Sequence, residues 1–366
     1  MNNDVVLEEK TSRFVYLDCL RVLATAAVMV LHISAQNWRT LPVDSIMWQS
    51  FNFYDSLVRW SVPAFIMISG TLFLSRDDIS TGKIYSKYIP RLLFAYFIWN
   101  FIYFLSGGNS VSEQFSSLFG SEWAKSVAAI INGHIHMWFI KMIIGIYMCL
   151  PVIKQIVKNE KATNCFLTLS LIFYSTVPLL FSLTQDFGGE DVRVLSNTIN
   201  NFVNGMRTGF VTNLVFYFIL GYQLSKTEIS KKTRIVIYAL GILGAAFTVV
   251  ANATVSVMNQ KPLETYFHAT RLNVTVQVVA IFVFFKYSDF KNKTVCKIFH
   301  KLSEWSFGAY LVHMLVIELF AKYGFDTLAM PPFVSVPVIT VAAFVCSFAV
   351  SGVLNCLPPT VRKYIV

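Results

Sequence analysis

The sequence predicts an all-α, polytopic membrane protein of about ten transmembrane helices with both termini cytoplasmic. Three observations carry that expectation. Of the 366 residues, 55% are hydrophobic and only 14% charged, with a mean hydropathy of +0.58; soluble chains carry about 25% charged residues. Ten apolar segments approach the roughly 20 residues that a bilayer requires. Finally, the 30 Lys and Arg divide unevenly when the connections are assigned to alternate sides: twenty on the side of the N-terminus, seven on the other side and three within spans. Basic connections stay cytoplasmic, so this bias puts both ends inside and calls for an even number of crossings.

The segments cover approximately 14–36, 54–75, 88–106, 134–153, 163–184, 208–224, 235–257, 269–287, 304–321 and 333–356, the sixth being the shortest. A polar lead, 1–13, precedes the first. No small-residue cleavage pattern follows it, so the first segment reads as a retained span. Connections are short, and 1–366 reads as a single membrane domain. Two outer connections, 107–133 and 184–207, exceed what a turn needs; they suit either re-entrant or lid pieces over an outward-facing cavity or passive linkers. The net charge of +10 is then mostly a topology and lipid signal, and no nucleic-acid partner is expected. The six cysteines, Cys19, Cys149, Cys165, Cys296, Cys346 and Cys356, form no CxxC pair and no Cys/His ligand spacing, so neither disulfides nor a metal site is expected.

The first span holds Asp18, Arg21 and His32. Ionisable groups in hydrocarbon cost several kcal/mol or more unless they face protein or a wet cavity. At about 100° per residue, Arg21 and His32 lie within about 20° of each other and Asp18 about 40° from His32, separated by roughly 16 Å of rise between Arg21 and His32. Thr25 lies near the same face. A salt bridge between Asp18 and Arg21 is the plain reading; three such groups on one face favour a functional cavity.

Arg59 opens the second span, where Pro63, Ser69 and Gly70 interrupt the apolar run, as in a kinked packing helix or a site. Lys87 and Arg91 begin the third span at its inner end, as snorkelling anchors or as a phosphate-binding pair. The fourth begins with His134 and His136, then Trp138 and Lys141; histidines two apart point to different faces and do not imply zinc. The ninth holds Glu304, His313 near mid-span and Glu318. A His-rich outer half with a cationic inner mouth suggests proton-transfer chemistry across the membrane. Neither a Walker loop nor a Ser-His-Asp order is present.

On these residues the chain resembles the acyltransferase-3 family of integral membrane acyltransferases over nearly its whole length, and is especially similar to the enterobacterial common antigen O-acetyltransferase branch. The family's basic residue, ten residues, then His matches Arg21 and His32. Its second-span signature matches Arg59, Pro63, Ser69 and Gly70; its H-x-W-F element matches His136, Trp138 and Phe139; its GxYLxH element matches Gly308, Tyr310, Leu311 and His313. The third-span RxxR motif departs: Arg91 follows Pro90, and Tyr88 stands where the first Arg belongs.

The resemblance implies acetyl transfer from cytoplasmic acetyl-CoA, the donor, to a hydroxyl of a cell-surface glycan or its lipid-linked precursor, in a bacterial inner membrane. His32 would accept the hydroxyl proton or carry the acetyl group, with Asp18 orienting Arg21. Lys87 and Arg91, with Arg21, would hold the donor phosphates. Arg59, Lys141 or His136 would stabilise the oxyanion, and His136, Trp138, Lys141 and His313 would line the acceptor side. A transporter of a glycan or small metabolite, or transfer of another acyl group or to an amine, are the alternatives. Whether the chain forms a homo-oligomer is left open.

Overall fold

The computed structural model describes the backbone of residues 2–76, 78–108 and 110–365, with side chains from Val15 onward. Among the described residues every regular element is helical. The chain runs through α1 (Asn2–Ser34), α2 (Ile46–Val58), α3 (Ser61–Leu74), α4 (Thr81–Lys83) and α5 (Ile89–Ser106), then α6 (Val111–Ser117), α7 (Trp123–Asn132), α8 (Trp138–Met148) and α9 (Leu150–Lys158). It continues through α10 (Glu160–Ser170), α11 (Val177–Phe187), α12 (Glu190–Gly205), α13 (Val215–Lys226), α14 (Lys231–Met258) and α15 (Leu272–Lys286). It ends with α16 (Lys293–Lys322), α17 (Pro332–Asn355) and α18 (Pro359–Ile365).

Seven helical stretches are long and apolar enough to cross a membrane, and eight if the bent pair Trp123–Asn132 and Ile135–Met148, which turns by 53°, is one span. Each of the ten expected segments contains helix. The sixth and eighth, however, correspond to the short helices Val215–Lys226 and Leu272–Lys286. Polar loop residues such as Asn213 and Arg271 begin them late: Asn213 Oδ1 accepts from Val215 N–H at 2.9 Å. The protein is thus a polytopic membrane protein. Its helices expose apolar faces suited to lipid; on α14, Ile242 and Val250 are 71% and 64% exposed.

Two compact units divide the chain. The first comprises Met1–Ser75, Ile156–Ser303 and Gly324–Ala342; the second comprises Arg76–Gln155, Glu304–Tyr323 and Ala343–Val366.

In the first unit α1 packs on α2 and α3, α3 on α13, and α14 on α15 and α2. The α3–α13 crossing is a backbone contact. A Cβ at Gly70 would lie 1.8 Å from Phe218 O, and one at Gly221 would lie 2.3 Å from Met67 O. Small residues permit such approach, so Gly70 is a packing position. The break between α2 and α3 at Arg59–Trp60 follows from Pro63, which has no N–H to bond the Arg59 carbonyl; the next bond of that kind is Ala64 N to Trp60 O, 3.0 Å. The connection 184–207 is mostly α12, packed along α11.

In the second unit α5 packs on α6, α7, α8 and α18. A π-helical turn, Ile84–Tyr88, precedes it. Another, Leu171–Thr176 in the first unit, precedes α11. Each lies just before a proline, Pro90 or Pro178. The missing proline N–H leaves the carbonyl four residues earlier without its α-helical donor, and the bonds shift to five-residue spacing: Ile89 N–H to Ile84 O and Val177 N–H to Ile172 O.

Candidate functional site

In the first unit, the Asp18–Arg21 stretch of α1 and the start of α16 bring charges together. Asp18 Oδ2 meets His300 Nδ1 at 2.9 Å, and Arg21 Nη1 donates to Ser303 Oγ at 3.4 Å. Asp18 therefore turns to His300 rather than to Arg21. Asp18, Arg21, Cys296, Lys297 and His300 line a cavity of about 500 Å³, within the range of small-molecule sites. Thr25 is buried and bonds back to Arg21 O at 2.9 Å, so the expected stripe is packed at that level. Residues 297, 300 and 303 recur at intervals of three on one helix face. Hydropathy started this span at Glu304, one turn too late to include them.

His32 lies in the last turn of α1 and is half-buried. It is nearer the helix end than the apolar segment 14–36 suggested, because α1 stops at Ser34. Arg59 sits at the α2–α3 break, ion-paired with Asp55, whose side chain is 2% exposed. The guanidinium lies 3.9 Å from the Phe267 ring centroid. Arg59 Nε is buried with no hydrogen-bond partner among the described residues, as is Asp55 Oδ1. This leaves one N–H of the fixed guanidinium uncommitted, which suits a developing negative charge. Above it, Trp38 packs on Trp48 and Phe267. Asp55 lies four residues before Arg59, the i, i+4 spacing that pairs side chains on one helix face, the signal by which the sequence could have shown it.

His268, in the same connection as Phe267, keeps an exposed edge. Desolvation by the surrounding protein, and then the Arg271 and Arg59 cations, hold its pKa below the ordinary 6.5.

In the second unit, α5 presents Tyr96, Asn100 and Tyr103 on one face and organises the break between α7 and α8. Gly133 has φ +75°, and a Cβ there would meet Tyr96 Oη at 2.5 Å and Asn100 Nδ2 at 2.6 Å. Asn100 Oδ1 accepts from His134 N–H at 3.0 Å. Tyr96 Oη donates to Ile131 O (2.7 Å) or Asn132 O (3.0 Å). Lys141 Nζ donates to Asn132 O at 2.9 Å.

This break presents His134 and His136 to α16. His134 Nε2 lies 2.9 Å from Glu318 Oε1, and its Nδ1 lies 2.8 Å from His136 Nδ1, so one of those two nitrogens carries the proton. Tyr103 stacks on His134 with centroids 4.4 Å apart, and its hydroxyl donates to Leu311 O at 2.8 Å. Tyr310 donates to His136 O at 2.6 Å. His313, 1% exposed, packs edge-on to His136 at 5.0 Å. The Tyr310 carbonyl can only accept, and it lies 2.5 Å from His313 Nδ1. That nitrogen therefore bears the hydrogen, and Nε2 is the acceptor. The row from Glu318 through His134 to His136 can pass a proton between a half-exposed carboxylate and a buried imidazole.

Of the four expected acceptor-side residues, the structure gathers His136 and His313. Trp138 is 44% exposed, and Lys141 caps α7 from an exposed position. Lys87 falls inside the π-helical turn, which alters its α-helical register with Arg91. Arg362, from α18, lies within electrostatic reach of Arg91. The terminal helix is held to α5 by Trp99 Nε1 donating to Ile365 O at 2.8 Å and by Phe94 against Tyr364. Nothing in the sequence near Arg362 announced that pairing of elements.

The acyltransferase-domain family model for acyltransferase 3 matches residues 14–354. No curated protein and no solved structure matches the chain.

Proposed function

The chain belongs to the acyltransferase-3 family of acyltransferase domains, and we propose that it moves an acetyl group from acetyl-CoA to a hydroxyl of a cell-envelope glycan or its lipid-linked precursor. It is a membrane acyltransferase; the donor, the acceptor and the bacterial inner membrane as its location belong to the proposal, as do ten spans with both termini inside.

The observation that carries the reading is the cavity of about 500 Å³ that Arg21 and Lys297 line together with Asp18 and His300, on the helix whose last turn carries His32. Phosphates bind where guanidinium and ammonium groups converge. Arg21 and Lys297 would hold those of the donor. Over roughly 16 Å of helix rise, the pantetheine arm would carry the thioester toward His32.

There the acceptor oxygen attacks the thioester carbonyl, forming the C–O bond, while His32 takes the hydroxyl proton. The developing oxyanion meets the Arg59 guanidinium, already fixed by Asp55. Collapse breaks the C–S bond, and the thiolate leaves with the proton that His32 held. General base catalysis of this kind contributes about 10²–10⁴-fold, and a preorganised donor about 10²–10³-fold. In the second unit, His136 and His313, with Trp138 and Lys141, are proposed on their chemistry alone as acceptor-side residues.

Radiolabelled acetyl-CoA supplied to purified protein in proteoliposomes, with a glycan fraction as acceptor, tests this. Label should appear in glycan, and Lys297→Gln should raise KM for acetyl-CoA about tenfold while changing kcat little. Absence of both labelled glycan and free acetate, or a KM unmoved by that substitution, would overturn the reading.

A further inference from the structure

A second cavity in the first unit, of about 620 Å³, is lined by Tyr174, Asn200, Asn204, Arg207 and Arg271, among others. Four elements supply them. Tyr174 comes from the π-helical turn before α11, the asparagines from α12, Arg207 from the connection beyond α12, and Arg271 from the residue that caps α15.

The groups in this cavity share a chemistry. Asn197, Asn200, Asn201 and Asn204 recur at i, i+3, i+4 and i+7, so α12 carries a ribbon of carboxamides on one face, of which Asn200 and Asn204 line the cavity. Carboxamides offer both donors and acceptors, which matches the mixed demand of sugar hydroxyls. Arg271 donates from Nη1 to Thr270 Oγ1 at 3.0 Å, while its Nε is buried with no hydrogen-bond partner among the described residues. A buried guanidinium with an uncommitted N–H is costly, so an anion in the cavity beside the rest of that guanidinium is favoured. Arg207 is exposed and held at φ +54°, where non-glycine residues are uncommon. The nearby carboxylate, Asp186, is already engaged by the Tyr266 hydroxyl at 2.9 Å. Two guanidiniums, a carboxamide ribbon and an aromatic wall, outside the Arg21 cavity and the histidine row, describe a receptor for an anion carried on a hydroxylated ring.

We infer that this cavity binds an acidic saccharide, the carboxylate or phosphate of the sugar lying between Arg207 and Arg271 and its hydroxyls against Asn200 and Asn204. That the saccharide is the acetyl acceptor rests on the acetyltransferase reading; that the pocket binds it does not. The guanidinium fork accepts either oxyanion, so the test separates the two sources.

Binding is measured by calorimetry on purified full-length protein in detergent, without acyl donor, using glucuronic acid, N-acetylglucosamine 1-phosphate, neutral N-acetylglucosamine and inorganic phosphate. At least one charged sugar should bind ten or more times more tightly than the neutral sugar and than inorganic phosphate, the tighter of the two naming the anion. Arg207→Gln and Arg271→Gln should each weaken that binding at least tenfold. Arg207→Lys should recover part of it, and Asn204→Ala should cost less than either. Arg207 and Asn204 are exposed, so those variants keep the fold even if Arg271→Gln does not. Equal binding of charged and neutral sugars, no binding of any probe, or affinity unchanged in Arg207→Gln would overturn the inference. Acetyl transfer without charge preference would sink the pocket and spare the enzyme reading; charge-selective binding without transfer would do the reverse.

Discussion

Asp55 and Arg59 form the most enclosed ion pair among the described residues, with side chains 2% and 15% exposed. Breaking a buried pair leaves an uncompensated charge, which costs about 3–5 kcal/mol. Asp55→Ala should therefore lower the unfolding midpoint in detergent markedly and reduce acetyl transfer; an unchanged midpoint would show that solvent reaches Arg59. His268 makes a pH prediction. Its lowered folded pKa means that the folded state prefers the neutral ring. Its contribution to stability is intact above pH 6.5 and falls as pH drops from there through the lowered value, because the unfolded chain takes up the proton first. Thermal midpoints measured from pH 7.5 to pH 5 should drop less in His268→Gln than in wild type. Parallel profiles would show that His268 is not desolvated in the folded protein. The sequence disclosed Asp18, Arg21, His32, Arg59 and His313 because each is an ionisable residue in an apolar run. It did not disclose His300, Lys297, His268 or Arg362. These lie in polar stretches where a charge is ordinary, and only tertiary packing gives them a neighbour.

At the scale of elements, glycine and proline positions decide where side chains go. At Gly70 an added methyl would collide with the backbone oxygen of Phe218, which cannot rotate away. Gly70→Ala should destabilise the protein by about 1–3 kcal/mol, whereas Gly145→Ala, with nothing within 4 Å, should be neutral or slightly stabilising. Equal melting of the two variants would contradict the α3–α13 crossing. Gly133 serves the histidine row directly: its φ of +75° and ψ of 165° place it where glycine alone is comfortable. Gly133→Ala should displace His134 and His136 and lower kcat more than it raises KM for acetyl-CoA; the opposite split would detach the histidine row from the chemical step. The break in the second span was readable from Pro63. The π-helical turns were not, since proline in a helix also permits a kink, and the choice depends on packing. Residues 107–133 and 184–207 read as loops because their polarity hides the amphipathic helices α7 and α12.

For the whole molecule, apolar content and segment length were enough to establish an all-helical membrane protein. The seven or eight long spans fall short of ten because two expected crossings are helices of 12 and 15 residues, below the length that spans a bilayer alone. Whether they cross is a question of topology, and the twenty-to-seven distribution of basic residues predicts that they do. Reporter tags at each end should both be shielded from an impermeant reagent in intact cells; opposite exposure of the two ends would require an odd number of crossings. The account stands or falls, however, on acetyl transfer through His32. The decisive measurement is labelled-acetyl transfer to glycan by wild type and His32→Ala in proteoliposomes, with folding of both checked by their melting curves. Label should appear in glycan with wild type, and a folded His32→Ala protein should lose at least a hundredfold. Transfer at the wild-type rate by that variant would contradict transfer through His32.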